Sequence, residues 1–322
     1  MASVVDLIRS NQSIAVLSHI RPDGDAVGAT VALTRCLVSL GKTCVGVLTD
    51  GIPEVFSYIT EPGEILSELP AELDLCIVLD APDTHRTGQD ARIAALGKEG
   101  KLAVVDHHPK GNLLAMSAAS LHDTAASSTS EIVYGVIVEL GGRITPEIAT
   151  ALLTGIFTDT GGFQHPNTTN RTMDIAAELM RRGGRLNLIV QEVFHTKSLP
   201  ALRLLGIALK RLRLVRQGQC AVSVLSNEEI VEAGATENDL LGIVSSIADL
   251  PDIKFSLLLT ESSPGIVRGT LRSGGKHHFD VNRMARLLGG GGHVRAAGFM
   301  LPASLKIQGE TWSLIAPNAN NG

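Results

Sequence analysis

Acids and imidazoles crowd together at short spacing in a few places along this chain. His19, Asp23 and Asp25 form His-x-x-x-Asp-x-Asp, Asp80 follows Leu-Cys-Ile-Val-Leu directly, and Asp106-His107-His108 form a triplet. Asp159, just before Gly161-Gly162, is a further candidate. Carboxylates gathered in one cleft repel each other in low dielectric and stay protonated unless cations neutralise them. Metal is the economical answer, and mixed carboxylate and imidazole ligands suit Mn, Fe, Co or Zn better than Ca, which prefers oxygen alone. Six ligands with one carboxylate shared are enough for two ions in the paired arrangement used for phosphoryl hydrolysis. Taken singly, each group has an ordinary reading: Asp23-Gly24-Asp25 suits a helix cap, Asp80 a turn and the triplet a surface loop.

Position relative to the strands separates these readings. Short β-branched runs at 14–18, 43–48, 75–79 and 102–105 alternate with helical stretches over the first 110 residues, as in a mostly parallel α/β sheet. His19 to Asp25, Asp80, and Asp106 to His108 then all fall at carboxyl ends of strands, where open α/β sheets bind ligands. A helix is expected over 25–40 with Gly41 closing it. Another begins at Ser128, where Ser128-x-x-Glu131 fits a capping box, and ends at Gly141-Gly142. A third runs from Pro146 to about Phe157, stopping before Asp159, and a fourth covers 172–182. Ser127, Ser128 and Thr129 are explained by the cap, with a phosphate contact as the alternative. Arg86 either reaches the cleft or ends in a loop salt bridge. His85, His122, His165, His195, His277 and His278 show no ligand spacing.

At 322 residues the chain exceeds what one core usually organises. The division expected is a domain over 1–186, a linker helix over 187–216 carrying Lys197, Arg203, Lys210, Arg211, Arg213 and Arg216 on a solvated face, and a smaller α+β domain over 217–322. The last contains strands at 219–225, 253–260 and 265–272, a helix over 280–288 closed by Gly289 to Gly292, and a final edge strand with a frayed end. Hydrophobic residues at 44% and charged residues at 19% exclude a largely disordered chain. Cys36, Cys44, Cys76 and Cys220 lie far apart in apolar stretches, as buried thiols of a cytoplasmic protein do. Apolar runs break well before the roughly 18 residues that a membrane span needs, although the mean hydropathy is +0.20. A net charge of -5 excludes duplex binding by bulk electrostatics, and aromatics at 3% leave few stacking platforms, so a nucleic-acid partner should be short and single-stranded.

His19-x-x-x-Asp23-x-Asp25, Asp80, Asp106-His107-His108 and Asp159, in that order, resemble the four motifs of the DHH phosphoesterase superfamily. Gly289-Gly290-Gly291-Gly292-His293 resembles the glycine-rich motif of the DHH-associated C-terminal domain. The two-domain length is most similar to the bacterial nano-RNase group, oligoribonucleases that also remove the 3′-phosphate of 3′-phosphoadenosine 5′-phosphate (pAp). The resemblance implies two divalent ions, manganese first, with Mg, Co or Fe as alternatives. One would sit on His19, Asp23 and Asp80, the other on Asp25, Asp80, His107 and Asp159. Asp106 would orient a histidine ring, and His108 would face the scissile phosphate. In the second domain, Arg268, Arg272 and Ser273 belong to a basic, hydroxyl-bearing strand, with Thr270 where the family more often has Ser. Arg272 would clamp a terminal phosphate, and Gly290, Gly291, Gly292 and His293 would approach the same ligand. The implied substrates are 5′-phosphorylated RNA of a few residues and pAp, held in a cleft between domains that excludes duplexes. A linear or cyclic dinucleotide phosphodiesterase shares every catalytic residue, a nucleotide-binding regulatory protein is the non-enzyme alternative, and a homodimer is left open.

Overall fold

Aliphatic runs of five residues make the centre of the first sheet. The computed structural model describes residues 3–194, 198–274 and 279–316, so His195, Lys197, His277, His278 and the C-terminal tail lie outside the described residues. The chain divides into two units, Met1–Thr196 and Lys197–Gly322.

In the first unit the order is α1 (Val4–Ser10), β1 (Ser13–Leu17), α2 (Gly24–Ser39), β2 (Thr43–Val47), β3 (Ile65–Leu66), β4 (Leu75–Leu79), α3 (Asp90–Lys98), β5 (Leu102–Asp106), α4 (Asn112–Met116), β6 (Ala119–His122), α5 (Thr129–Leu140), α6 (Pro146–Asp159), α7 (Asn170–Arg181) and α8 (Leu186–Phe194). The strands form a parallel sheet in the order β3-β2-β1-β4-β5-β6. Both faces are covered, so alternate residues of one strand enter different cores. Ile77 and Leu79 pack with α2, α5 and α6, whereas Cys76 and Val78 pack with Ile93 of α3 and Leu113 of α4. The sheet order reverses between β1 and β4, which puts a crevice at their carboxyl ends.

Helix α2 is apolar around most of its circumference and buried throughout its first three turns, as befits a helix with neighbours on several sides. Its approach to α6 depends on Gly28, where an added Cβ would lie 2.3 Å from the Ala151 carbonyl oxygen. Three boundaries differ from the sequence reading. Asp159 is the last residue of α6 rather than beyond it, because Thr160 carries the cap. Ser128 caps α5, but Glu131 does not complete the box: its carboxylate accepts from the N–H and hydroxyl of Ser127 and from Thr172. The stretch 187–216 is no single helix, since it holds most of α8, a second helix α9 (Leu199–Lys210) and a strand β7 (Arg213–Val215).

The second unit continues with β8 (Cys220–Leu225), α10 (Asn227–Ala233), α11 (Glu237–Ala248), β9 (Phe255–Ser263), β10 (Ile266–Ser273), α12 (Val281–Leu287), β11 (Gly291–His293) and β12 (Ala296–Pro302). Its sheet is mixed, in the order β11-β12-β10-β9-β8-β7, with β8 and β9 parallel and the other pairs antiparallel. The end of the described chain is a hairpin of β13 (Ser304–Gln308) and β14 (Thr311–Ile315), rather than one edge strand.

Gly28→Ala should destabilise the first unit by about 1–3 kcal/mol through overpacking, seen as a fall in Tm of about 2–4 °C per kcal/mol in thermal unfolding. Gly135→Ala is the control: nothing lies within 4 Å of the added methyl, and the helix gains about 0.5–1 kcal/mol.

Candidate metal centre

Strand β1 delivers Ser18 and His19 to the crevice, and the Ser18 hydroxyl donates to the Leu79 carbonyl at 2.9 Å, tying the ends of β1 and β4 together. His19 is 3% exposed. Its Nδ1 lies 2.8 Å from the Ile20 carbonyl oxygen, so the ring proton belongs there and Nε2 faces the crevice with its lone pair. Asp23 is the N-cap of α2, its Oδ1 accepting from the N–H groups of Asp25 at 3.0 Å and Ala26 at 3.1 Å. The cap reading is therefore correct, and the same oxygen lies 3.8 Å from His19 Nε2.

Asp25 and Asp80 are sunk deep, at 0% and 1% exposure. Two helix N-terminal N–H groups hold Asp25: Thr129 donates to Oδ2 at 2.6 Å and Ser130 to Oδ1 at 2.9 Å. The Thr129 hydroxyl donates to Asp80 Oδ1 at 2.9 Å. Asp80 turns sharply off β4 at φ 59, a left-handed conformation that Asp tolerates better than most side chains. Its two oxygens face opposite ways, Oδ2 lying 3.5 Å from His19 Nε2 and Oδ1 3.5 Å from His107 Nε2. His107 Nε2 is also 3.2 Å from Asp159 Oδ2. Asp106 is turned aside, accepting from the His108 backbone at 3.2 Å and bonding His108 Nδ1 at 2.9 Å. His122, assigned no role from sequence, braces the loop by bonding the His108 carbonyl at 2.6 Å.

The electrostatics follow from this crowding. Burial, then the charges of Asp25, Asp80 and Asp23, push Asp159 up to about 10. Burial and Asp80 likewise push Asp25 well above the carboxylate range. Burial opposes the charge on His19, but hydrogen bonds to Asp23 and Asp80 outweigh it and carry the ring up to about 10. The hydrogen bond to Asp106 raises His108 against the effect of burial.

Two triads emerge, His19-Asp23-Asp80 and Asp25-His107-Asp159, with ligand atoms inside each within 4.8 Å of one another. Asp80 also groups with His107 and His108. Ligands bound at about 2.0–2.2 Å to one ion stand roughly 3.0–3.6 Å apart, and the closest pairs here are at 3.2 to 3.8 Å. His107 Nε2 is buried without a hydrogen-bond partner among the described residues, an orphan that a cation would satisfy. The donor set thus fits divalent ions.

Sequence reasoning passed over the groups that hold these ligands. Thr129 and Ser130 read as parts of a cap, and nothing local told which carboxylate that cap would meet. Asn167 donates to the carbonyls of Ser127 and Asp159, joining the start of α5 to the end of α6, and His165 Nδ1 reaches the Asp159 carbonyl at 3.1 Å. At Gly155 an added Cβ would lie 2.0 Å from Ser130 Oγ and 2.5 Å from Asp25 Oδ1.

In the second unit, Arg268, Thr270 and Arg272 share one face of β10, while Gly269 and Leu271 turn into the core. Arg268 pairs with Glu237 at 2.5 Å. Arg272 has no ion pair among the described residues; it donates to the Leu271 carbonyl at 3.1 Å, and burial lowers its pKa. Ser273 closes the strand. Gly290 and Gly292 are required by their own hairpin, since added Cβ atoms would lie 2.1 Å from the Gly298 carbonyl oxygen and 2.5 Å from that of Ala296, with Gly292 at φ 148. Gly291 meets nothing within 4 Å, and His293 is exposed at the end of β11.

Comparison with known proteins gives independent findings. Residues 13–156 match the DHH family, N-terminal domain, and residues 217–309 the DHHA1 domain. The bifunctional oligoribonuclease and PAP phosphatase NrnA of Thermus thermophilus is 30% identical over 306 residues, covering 94% of this chain and 88% of that protein. Its Bacillus subtilis counterpart is 29% identical over 294 residues, covering 89% and 88%. The crystal structure of an exopolyphosphatase-related protein from Bacteroides fragilis aligns with a TM-score of 0.82 at 28% identity, covering 91% of this chain and 88% of that one.

Below about pH 10 the metal-free site carries protons on Asp159 and His19. Ion binding must expel them, so affinity should rise with pH. Titration calorimetry with Mn²⁺ at pH 7, in two buffers of different ionisation enthalpy, should show net proton release, reduced in Asp159→Asn; identical heats in both buffers would contradict it. Gly155→Ala, by displacing Asp25, should weaken Mn²⁺ binding about tenfold or more, since a disturbed ligand support costs about 10–100-fold.

Proposed function

This chain belongs to the DHH family of hydrolytic phosphoesterases, and from that premise we propose that it is a two-ion phosphohydrolase that degrades short 5′-phosphorylated oligoribonucleotides to mononucleotides and dephosphorylates pAp. The observation that carries this reading is the pair of ligand triads joined through Asp80. His19, Asp23 and Asp80 would hold one ion, and Asp25, Asp80, His107 and Asp159 the other, with manganese the expected metal. Bound there, divalent ions supply Lewis acidity and lower the pKa of water for in-line attack on phosphorus.

The protein's own groups do the rest. The N–H groups of Thr129 and Ser130 keep Asp25 oriented, and the Thr129 hydroxyl keeps Asp80 from rotating. Asp106 fixes the His108 ring through Nδ1, which leaves Nε2 to donate a hydrogen bond or a proton to a phosphoryl or leaving oxygen. Arg272 is the residue of β10 suited to a terminal phosphate, because Arg268 is already engaged by Glu237 and Arg272 has no ion pair among the described residues. The relatives named for oligoribonuclease and PAP phosphatase activity support the same substrates.

With Mn²⁺ the protein should hydrolyse a 5′-phosphorylated RNA trimer and pAp. Asp80→Asn, which keeps the left-handed turn tolerable, should abolish turnover while leaving the metal-free fold intact by circular dichroism. Activity confined to cyclic dinucleotides would redirect the substrate assignment, and a fully active Asp80→Asn would overturn the shared-ligand assignment. Arg272→Ala should raise KM for the trimer far more than for a minimal activated phosphodiester.

A further inference from the structure

Four residues beyond Asp80 the chain enters a 3-10 turn, Thr84–Thr87, that is clamped on two sides. The Arg86 carbonyl accepts from the Ile20 N–H at 2.6 Å, joining this turn to the loop that carries His19 and Asp23. Gly88 closes the turn at φ 69, where an added Cβ would lie 2.6 Å from the Ile20 side chain. Thr87 is fully buried, and its carbonyl accepts from the Thr49 hydroxyl at 3.0 Å. On the other side Asp83 accepts from the Asn112 N–H at 2.9 Å. The backbone of Arg86 is therefore fixed against the ligand loop as firmly as a strand end would be.

The side chain is left unsatisfied by this rigid setting. Arg86 is half-buried, and its Nε is shielded from solvent with no hydrogen-bond partner among the described residues. No carboxylate pairs with it among the described residues, unlike Arg35, which donates two hydrogen bonds to the Glu64 carboxylate, and Arg171, which meets Asp123 and Glu131. A shielded N–H with no acceptor is costly, and a cation without a counter-charge beside it leaves that cost unmet. The acids of the neighbouring crevice do not quench it, because Asp23, Asp25, Asp80 and Asp106 are directed at helix N–H groups, Thr129 and the histidines.

We propose that Arg86 is a phosphate-binding residue of the hydrolytic site, its planar fork taking a non-bridging phosphoryl oxygen of the substrate next to the loop that carries His19 and Asp23. The ligand class is a phosphate ester with at least one anionic oxygen. The assignment deepens the phosphohydrolase reading and rests on it for the reaction. A guanidinium suits this place better than an ammonium, because it is weakly hydrated and offers its donors in one plane. Charge building on the phosphoryl oxygens in the transition state would meet a donor that needs no rearrangement.

Two measurements separate this role from a structural one. The first is calorimetric binding of inorganic phosphate to the Mn²⁺-loaded protein, comparing wild type, Arg86→Ala and Arg86→Lys. Phosphate affinity should fall about tenfold or more in Arg86→Ala, with the lysine variant intermediate. The second is kinetics on the RNA trimer, where kcat/KM should fall about 100-fold in Arg86→Ala. Tm and Mn²⁺ affinity should match wild type in both variants. Unchanged phosphate affinity, or a loss matched by a fall in Tm or in Mn²⁺ affinity, would overturn the assignment. A wild-type protein that binds phosphate but hydrolyses no phosphate ester would defeat the phosphohydrolase reading, while the comparison of phosphate affinities would still decide for or against Arg86.

Discussion

Repulsion between buried carboxylates is the constraint around which the first unit is arranged. Asp25 and Asp80 are almost wholly removed from water, and together with Asp23 they push Asp159 far above its ordinary range. Such a group is stable only where hydrogen-bond donors and cations repay the lost hydration. The fold supplies the donors from one place, the first turn of α5, whose N–H groups meet Asp25 and whose Thr129 hydroxyl meets Asp80. Charge compensation at a helix N-terminus is strongest in a partly or wholly buried setting, which is the setting here. The remaining deficit is the part that divalent ions fill.

Bringing a helix end, a strand end and a turn to one point demands close packing, and small residues provide it. Gly28 lets α2 approach the backbone of α6, and Gly155 on α6 leaves space for Asp25 and Ser130. Asn167 and Glu131 act as cross-ties, the first between the start of α5 and the end of α6, the second between Ser127 and Thr172. None of these four carries the chemistry; each limits how far a ligand can drift. Catalytic sites lose efficiency when their supporting contacts are loose by even about an ångström, so these ties belong to the function as much as to stability.

The second unit is built on a mixed sheet. Alternation along β10 sets Arg268, Thr270 and Arg272 on one face. Glu237 then engages Arg268, so the two arginines have unequal tasks. The glycine run after α12 is likewise divided: the hairpin itself requires glycine at 290 and 292, whereas 291 is free of any such demand.

The sequence by itself determined the fold class and the order of the strands along the first unit. Continuous aliphatic runs bounded by turn residues match strands buried on both faces, and the ends at 75–79 were legible to the residue. Spacing put His19 to Asp25, Asp80 and Asp106 to His108 at one edge of the sheet, and the order of those motifs was enough to name the superfamily. Local signals failed where one side chain had competing partners. Glu131 looked like half of a capping box but serves Ser127 and Thr172, and nothing local told that Glu237 would engage Arg268. Only the tertiary structure decided which helix N-terminus faces Asp25, that Thr129 bonds Asp80, and that Arg86 is fixed beside the ligand loop with an unpartnered Nε. The physical reason is that periodicity and capping are set by neighbours three or four residues away, whereas these contacts join groups about a hundred positions apart for Asp25 and α5, and no local pattern encodes such a meeting.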